Sequence, residues 1–382
     1  MIWIRADGGK EMGTGHIMRC LSVAAALRQM GEQVCFLVAD DSPVPLLEAG
    51  GQSYRILSSS YRNLEQELPI LLPILRETPQ SLFLADSYFV TAEYLRRVRE
   101  LMPVCYMDDR GISALPVDLL INYNIFAERA LYGEGTDRNR EGDRKNGEEP
   151  CKTAYLLGTE YVPLRQEFQK AGVPVKEKAE RVLITTGGSD RYDLAGQILR
   201  QALQDPEIED LEYCVVSGIY NQYLPQLLEL ERCNKNVHVF SNVSNMAGLM
   251  QSCDIAVSAG GSTMYELCAA GVPILCFSFV DNQEKIVEGF ARRKLVSFAG
   301  NYLSQGEQMI RILTEHIALL RNSVELRRSY SEKERELVDG RGASRIASHL
   351  CDLLSGHRAA GSVGSPLRGA EPPLRGAKPP LW

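Results

Sequence analysis

Twice along this chain, short apolar runs alternate with segments of helical periodicity, and the second series restarts after a charged stretch that contains Pro174. That repeat constrains the fold more than any other feature, because β–α alternation builds a parallel sheet covered by helices. In the first series the strand candidates are Ile2–Arg5, Gln33–Val38, Ser53–Ile56, Ser81–Ala85, Val104–Met107 and Asp118–Ile121. Between Gly15 and Met30, the residues Ile17, Cys20, Leu21, Ala24, Ala25 and Leu27 recur at helical spacing. The rhythm restarts at Arg181, with strand candidates Val182–Thr185, Glu212–Val216, Asn236–Phe240, Ile255–Ser258, Pro273–Phe277 and Leu295–Phe298. Ile310 to about Leu354 is mainly helical in pattern. A length of 382 residues suits two to three domains. The expectation is an α/β protein of two similar halves, 1–170 and 171–354, with the last helix packing back on the first.

Two stretches fall outside the rhythm. Residues 133–150 (GEGTDRNREGDRKNGEEP) are almost wholly polar and read as an exposed, mobile loop. From Ser355 onward Pro, Gly and Arg dominate, and PLRGA at 366–370 returns at 373–377. Little there can pack, so 355–382 is expected to be a disordered tail.

Charge and cysteine usage narrow the function. With 42 Lys+Arg against 49 Asp+Glu the net charge is −7, so nothing draws the chain to nucleic acid or anionic lipid, and any phosphate must be held by a local site. No apolar run approaches the roughly 20 residues of a membrane helix, and the start MIWIRADGGK has no signal-peptide pattern. The ten cysteines form no CxxC pair and mostly sit in apolar runs, as buried thiols of a reducing compartment do. The expectation is a cytoplasmic protein with no nucleic-acid partner and no membrane span, and a monomer.

Three turns carry chemistry. Gly13-Thr14-Gly15-His16-Ile17-Met18-Arg19 follows the first strand. Its glycines permit a tight turn and close approach of a ligand. His16 falls at the start of a helix, whose positive end disfavours a cationic imidazole and leaves it able to accept a proton. Met18 stands where a dinucleotide fingerprint needs its third glycine, which argues against an NAD-dependent oxidoreductase despite the acids of Ala39-Asp40-Asp41. Thr185-Thr186-Gly187-Gly188-Ser189-Asp190 follows the first strand of the second half and can cradle an anion on backbone N–H groups; alternatively Ser189 or Asp190 simply caps a helix. Ser258-Ala259-Gly260-Gly261-Ser262-Thr263-Met264-Tyr265-Glu266 ends a strand on two glycines and opens a helix. Glu266 can accept from ribose hydroxyls or close a capping box, but not both. Asp281-Asn282-Gln283 would start a further helix beside this turn. Asp108-Asp109 is a carboxylate pair, but adjacent residues at a strand end point apart, so no metal and no cofactor is expected.

At this point the chain resembles the GT-B architecture, two Rossmann-like domains facing a cleft that holds a nucleotide sugar. Within it, the chain is similar to the UDP-2,4-diacetamido-2,4,6-trideoxy-β-L-altropyranose hydrolase family of pseudaminic acid biosynthesis, a pathway tied to flagellin glycosylation. The resemblance rests on Arg5-Ala6-Asp7, GTGHIMR (13–19), Asp86-Ser87-Tyr88, Asp108-Asp109, LLGTEYVPLRQEF (156–168), ITTGGSD (184–190), SAGGSTMYE (258–266) and DNQ (281–283). It implies that a UDP-sugar is bound with its diphosphate on Gly187, Gly188 and the Gly261-Ser262-Thr263 turn, with Glu266 near the ribose and Asn282 beside it. It places the sugar toward Gly13, Gly15 and Arg19. It makes His16 the base of an inverting, metal-independent hydrolysis, with Tyr88 a second catalytic candidate. A GT-B glycosyltransferase on the same UDP site and a non-catalytic nucleotide-sugar-binding protein remain the alternatives.

Overall fold

Strands that are apolar on both faces must lie between two layers of helix, and both halves build that arrangement. The computed structural model describes residues 1–363 apart from 10–11, 112–114, 133–152, 170–171, 189 and 219, and without the side chains of 281–282 and 360–363. The first half runs β1 (Ile2–Ala6), α1 (Gly15–Gln29), β2 (Val34–Val38), α2 (Val44–Ala49), β3 (Ser53–Ile56), α3 (Leu68–Arg76), β4 (Leu82–Asp86), α4 (Ala92–Arg99), β5 (Val104–Met107), β6 (Leu119–Asn122) and β7 (Ala154–Leu157). These strands form one parallel sheet in the order β3-β2-β1-β4-β5-β6-β7. The second half runs β8 (Arg181–Thr185), α5 (Leu194–Ala202), β9 (Glu212–Val216), α6 (Leu224–Cys233), β10 (Val237–Phe240), α7 (Met246–Gln251), β11 (Ile255–Ala259), α8 (Ser262–Ala270), β12 (Ile274–Ser278), α9 (Asp281–Arg292) and β13 (Ser297–Asn301). Its sheet is also parallel, in the order β10-β9-β8-β11-β12-β13. The helices α10 (Tyr302–Gln305), α11 (Glu307–Asn322), α12 (Val324–Leu337) and α13 (Gly342–Val363) complete the chain.

Central strands β1, β2, β4, β11 and β12 are buried along their whole length, whereas the edge strand β3 is mostly exposed. In each sheet the chain first winds outward on one side and then crosses to the other. The crossing falls between β1 and β4 in the first half and between β8 and β11 in the second. Ligands of such sheets bind outside the strands' carboxyl ends at this switch point. All three glycine turns lie there.

The last helix leaves the second half. Ala343, Ile346, Ala347, Leu350 and Leu354 of α13 join Ile17, Cys20, Ala24 and Leu27 of α1 in one buried cluster. Residues 355–363, expected to belong to a disordered tail, are instead the end of α13, which continues to Val363; 364–382 lie outside the described residues. The end of α13 is anchored: His357 Nε2 lies 2.9 Å from Pro79 O, and Arg358 pairs with Glu32 at 2.9 and 3.0 Å. The PLRGA repeat and the polar stretch 133–150 lie outside the described residues. Two strands also differ from expectation. β7 was not anticipated, being four residues long and half exposed at the sheet edge. The last strand starts at Ser297, where its pairing with Leu275 of β12 begins, two residues later than expected; Leu295 and Val296 are packed in the core ahead of it. Between the halves, the charged stretch before Arg181 is held to α12 by Arg327, which donates to the carbonyls of Lys176 and Glu177 at 2.9 Å each.

Candidate active site

In the first half the switch point assembles a buried ionic cluster around Asp86, the last residue of β4. Gly13 has φ +82°, a left-handed conformation that favours glycine. Paired with Gly9 through two backbone hydrogen bonds of 2.7 and 3.0 Å, it closes the loop ahead of α1. The turn delivers His16 to the first helical turn, where its ring is buried. His16 Nδ1 lies 2.6 Å from Asp86 Oδ1. A carboxylate that close requires a proton on Nδ1; in the neutral imidazole the lone pair is then on Nε2. Arg19, one turn along α1, donates to Asp86 Oδ2 at 2.6 Å, to Asp109 Oδ2 at 2.7 Å and to the Tyr123 hydroxyl at 2.9 Å. It also donates to Asp86 Oδ1, so that oxygen takes both His16 and Arg19, which brings Arg19 Nη2 within 2.9 Å of His16 Nδ1. The Arg19 guanidinium, followed by His16, holds the Asp86 carboxyl below its usual range against the opposing effect of burial, so Asp86 is ionised at neutral pH.

Tyr88 sits against this cluster. Its ring meets the His16 ring edge-on, with centroids 4.4 Å apart, and its hydroxyl donates to Asp109 Oδ2 at 3.3 Å. Burial and then Asp109 push the phenol above its ordinary value, so Tyr88 is a hydrogen-bond donor and not a base. Asp108 faces elsewhere, accepting from Tyr132 at 3.0 Å and from the Arg110 and Gly111 amides at 2.9 and 3.1 Å. The two adjacent carboxylates do point apart. Among the described residues, no group of three His, Cys, Asp or Glu is placed to hold a metal.

In the second half the two turns divide their roles. Asp190 is buried, accepts from the Leu194 and Ala195 amides at 2.8 Å each, and so occupies the start of α5. The capping alternative is therefore realised at that helix; Ser189 lies outside the described residues. α8 begins at Ser262 after Gly261 with no side chain capping it, so its first-turn N–H groups keep the partial positive charge of an open helix end. The capping box is not formed. Glu266 instead accepts from Arg165 at 3.2 Å, and burial raises its carboxyl while Arg165 opposes this. Gly187 adopts φ +87°. A Cβ built on Gly13, Gly15, Gly187, Gly188 or Gly261 would meet nothing within 4 Å, so all five face open space. α9 starts at Asp281, and its Val287 and Gln283 lie against Gly260, where a Cβ would not fit. Asn282 is thus in the first turn of α9; its side chain lies outside the described residues.

His16, Arg19 and Tyr88 are thus one cluster, and Gly187, Gly188 and Gly261-Ser262-Thr263 lie at the switch point of the other half, with Glu266 one turn further along α8. Asp86, Asp109, Tyr123 and Arg165 were not among the expected site residues. Asp86 stood in the recognised Asp86-Ser87-Tyr88 stretch, but nothing in the sequence paired it with His16, 70 residues away.

Two parallel-sheet halves with open glycine turns at both switch points define a GT-B glycosyltransferase-like architecture. The solved structure of Acinetobacter baumannii MurG shares the fold, with a TM-score of 0.59 at 16% identity, over 92% of this chain and 99% of that one. Residues 182–336 match the glycosyltransferase family 28 C-terminal domain. Among curated proteins, the chain is 28% identical over 358 residues to the spore coat polysaccharide biosynthesis protein SpsG of Bacillus subtilis, covering 92% of this chain and 98% of that one. It is 23% identical over 297 residues to the UDP-2,4-diacetamido-2,4,6-trideoxy-β-L-altropyranose hydrolase of Campylobacter jejuni, covering 76% of this chain and 96% of that one. Among the described residues, no helix is long and apolar enough to cross a membrane.

Proposed function

We propose that this chain is a hydrolase of a UDP-linked 2,4-diacetamido-2,4,6-trideoxy sugar, acting in pseudaminic acid biosynthesis. The observation that carries the reading is the His16–Asp86 contact of 2.6 Å, which fixes the tautomer that leaves Nε2 free to accept a proton. Nε2 takes a proton from water as the water oxygen bonds to the anomeric carbon. The bond from that carbon to the β-phosphate oxygen breaks, and its electron pair leaves with UDP. Attack opposite the leaving group inverts the anomeric centre. A stabilised phosphate anion leaves without the general acid that an ordinary glycosidase needs, so one base can serve where two carboxylates are usual. In this reading the uncapped end of α8 and the Gly187-Gly188 turn supply donors for the diphosphate, and Glu266, which also accepts from Arg165, is the candidate acceptor of a ribose hydroxyl. No resident cofactor enters the scheme.

A transferase reading uses the same UDP site, and the match to the family 28 C-terminal domain favours it equally. One experiment separates them. The protein is incubated with the UDP-linked sugar in ¹⁸O-water and the products are followed by NMR. Hydrolysis is expected to place the label on the free sugar. Label in UDP would mean attack at phosphorus, and no release until an acceptor is added would mean transfer.

The diphosphate assignment has its own test. A Cβ at Gly218 would fall inside the carbonyl oxygens of Gly187 and Gly188. Gly218→Ala must push that turn aside at an overpacking cost of about 1–3 kcal/mol. With the turn displaced, calorimetry should show UDP binding weakened by about tenfold or more; unchanged affinity would remove the Gly187-Gly188 turn from the site.

A further inference from the structure

Tyr265 lies three residues past the start of α8 and is fully buried, yet its hydroxyl is engaged by the other half. It accepts from the Ile125 amide at 3.1 Å and donates to Asn124 Oδ1 at 3.3 Å. Its ring meets Tyr123 edge-on at 6.0 Å and lies 5.4 Å from Phe290 of α9. Tyr123 in turn accepts from Arg19, which also holds Asp86, the partner of His16. The segment that follows β6 is gripped from a second side. Ile125 packs on Gly289 of α9 so closely that no Cβ would fit, and the Ile125 carbonyl accepts from Arg293 at 3.3 Å. A short run of contacts therefore leads from the open end of α8 through Tyr265, Tyr123 and Arg19 to the Asp86–His16 pair.

We infer that Tyr265 is a positioning residue, which sets the anion turn of α8 in register with His16 across the two halves. The inference rests on the proposed hydrolysis, because register matters to rate only if a diphosphate on α8 and a base in the first half serve one reaction. A helix moves as a rigid rod, and the Cα of Tyr265 is only about 4.5 Å along the axis from that of Ser262. Whatever displaces the tyrosine displaces the turn. A misplacement of about 1 Å between reacting groups can cost on the order of 100-fold in rate.

The test uses the full chain with Tyr265→Phe and, from the opposite side, Gly289→Ala, which adds a methyl against Ile125 and leaves Tyr265 intact. UDP affinity is measured by calorimetry, and kcat and KM with the UDP-sugar. Distances between spin labels on exposed positions of the two halves are recorded with UDP present. Tyr265→Phe should lower kcat about tenfold or more, with UDP affinity within about twofold of wild type. Gly289→Ala should act in the same direction, and it serves as the reporter should Tyr265→Phe not fold. Unchanged kcat in folded variants overturns the inference. So does a parallel fall in kcat and UDP affinity, which would mean that α8 itself is damaged. If the wild type releases no sugar, the hydrolysis reading fails on its own, and the label distances decide the register. Distances that shift or broaden in the variants support the positioning role; unchanged distances overturn it.

Discussion

Asp86→Asn is expected to lower turnover of the UDP-sugar by about 10²–10⁴-fold, the range that a positioned base supplies, while UDP binding, which we propose lies in the other half, changes by less than about twofold. The reason is the tautomer. An ionised carboxylate 2.6 Å from His16 Nδ1 can be satisfied only by an N–H there. An amide can present its NH₂ group instead, and the imidazole then carries its proton on Nε2, where the base is needed. Because Asp86 acts through His16, the losses are not additive. The double variant His16→Ala/Asp86→Asn should be no slower than His16→Ala alone. Steady-state kinetics on the three variants checks this, with calorimetric UDP binding as the control for folding. A double variant slower by the product of the two single effects would give Asp86 a separate role.

Arg19→Met is expected to destabilise the protein by about 3–5 kcal/mol, the cost of leaving a buried charge uncompensated. Arg19 is the cation shared by Asp86 and Asp109, and the side chains of Arg19 and Asp86 are 10% and 0% exposed. At roughly 2–4 °C per kcal/mol for a domain of this size, the unfolding midpoint should fall by about 6–20 °C. The loss depends on pH with a definite sign. Asp86 is held below its usual range in the fold, so the stability it contributes is present above about pH 4 and disappears as acid protonates it. In Arg19→Met the same carboxylate has lost its guanidinium partner and keeps only His16 and the weak Cys20 donor, and protonation relieves it. The gap between variant and wild type should therefore narrow on acidification toward pH 4, as thermal unfolding at several pH values would show. A gap of less than about 1 kcal/mol at neutral pH would mean that solvent already screens the cluster.

How much of this was legible in the sequence follows from how local each feature is. The pair of α/β halves was, because strand and helix periodicities repeat over tens of residues; their GT-B character came only with the family resemblance of the motifs. The GTGH turn, Arg19 and the Asp86-Ser87-Tyr88 stretch were visible as motifs, because each is contiguous. Asp86 as the partner of His16 was not, since the two are 70 residues apart and meet only because β4 lies beside β1. Arg165 and Glu266 are 101 residues apart, and nothing in either segment announces the other. Tyr265 stood inside a recognised motif and passed as filler, because its contact is with the opposite half. The end of α13 was missed for the converse reason. Ser355–Val363 is weak helix by composition, and the contacts with Pro79 and Glu32 that hold its end are tertiary.

The chain crosses between the halves twice, once outward after β7 and once back into α13. At the return, Gly340 lies against Phe168 and Gly342 against Val162, so tightly that neither leaves room for a side chain. The two crossings therefore touch backbone to backbone, so the outgoing and returning segments cannot be altered independently: bulk added to one must displace the other.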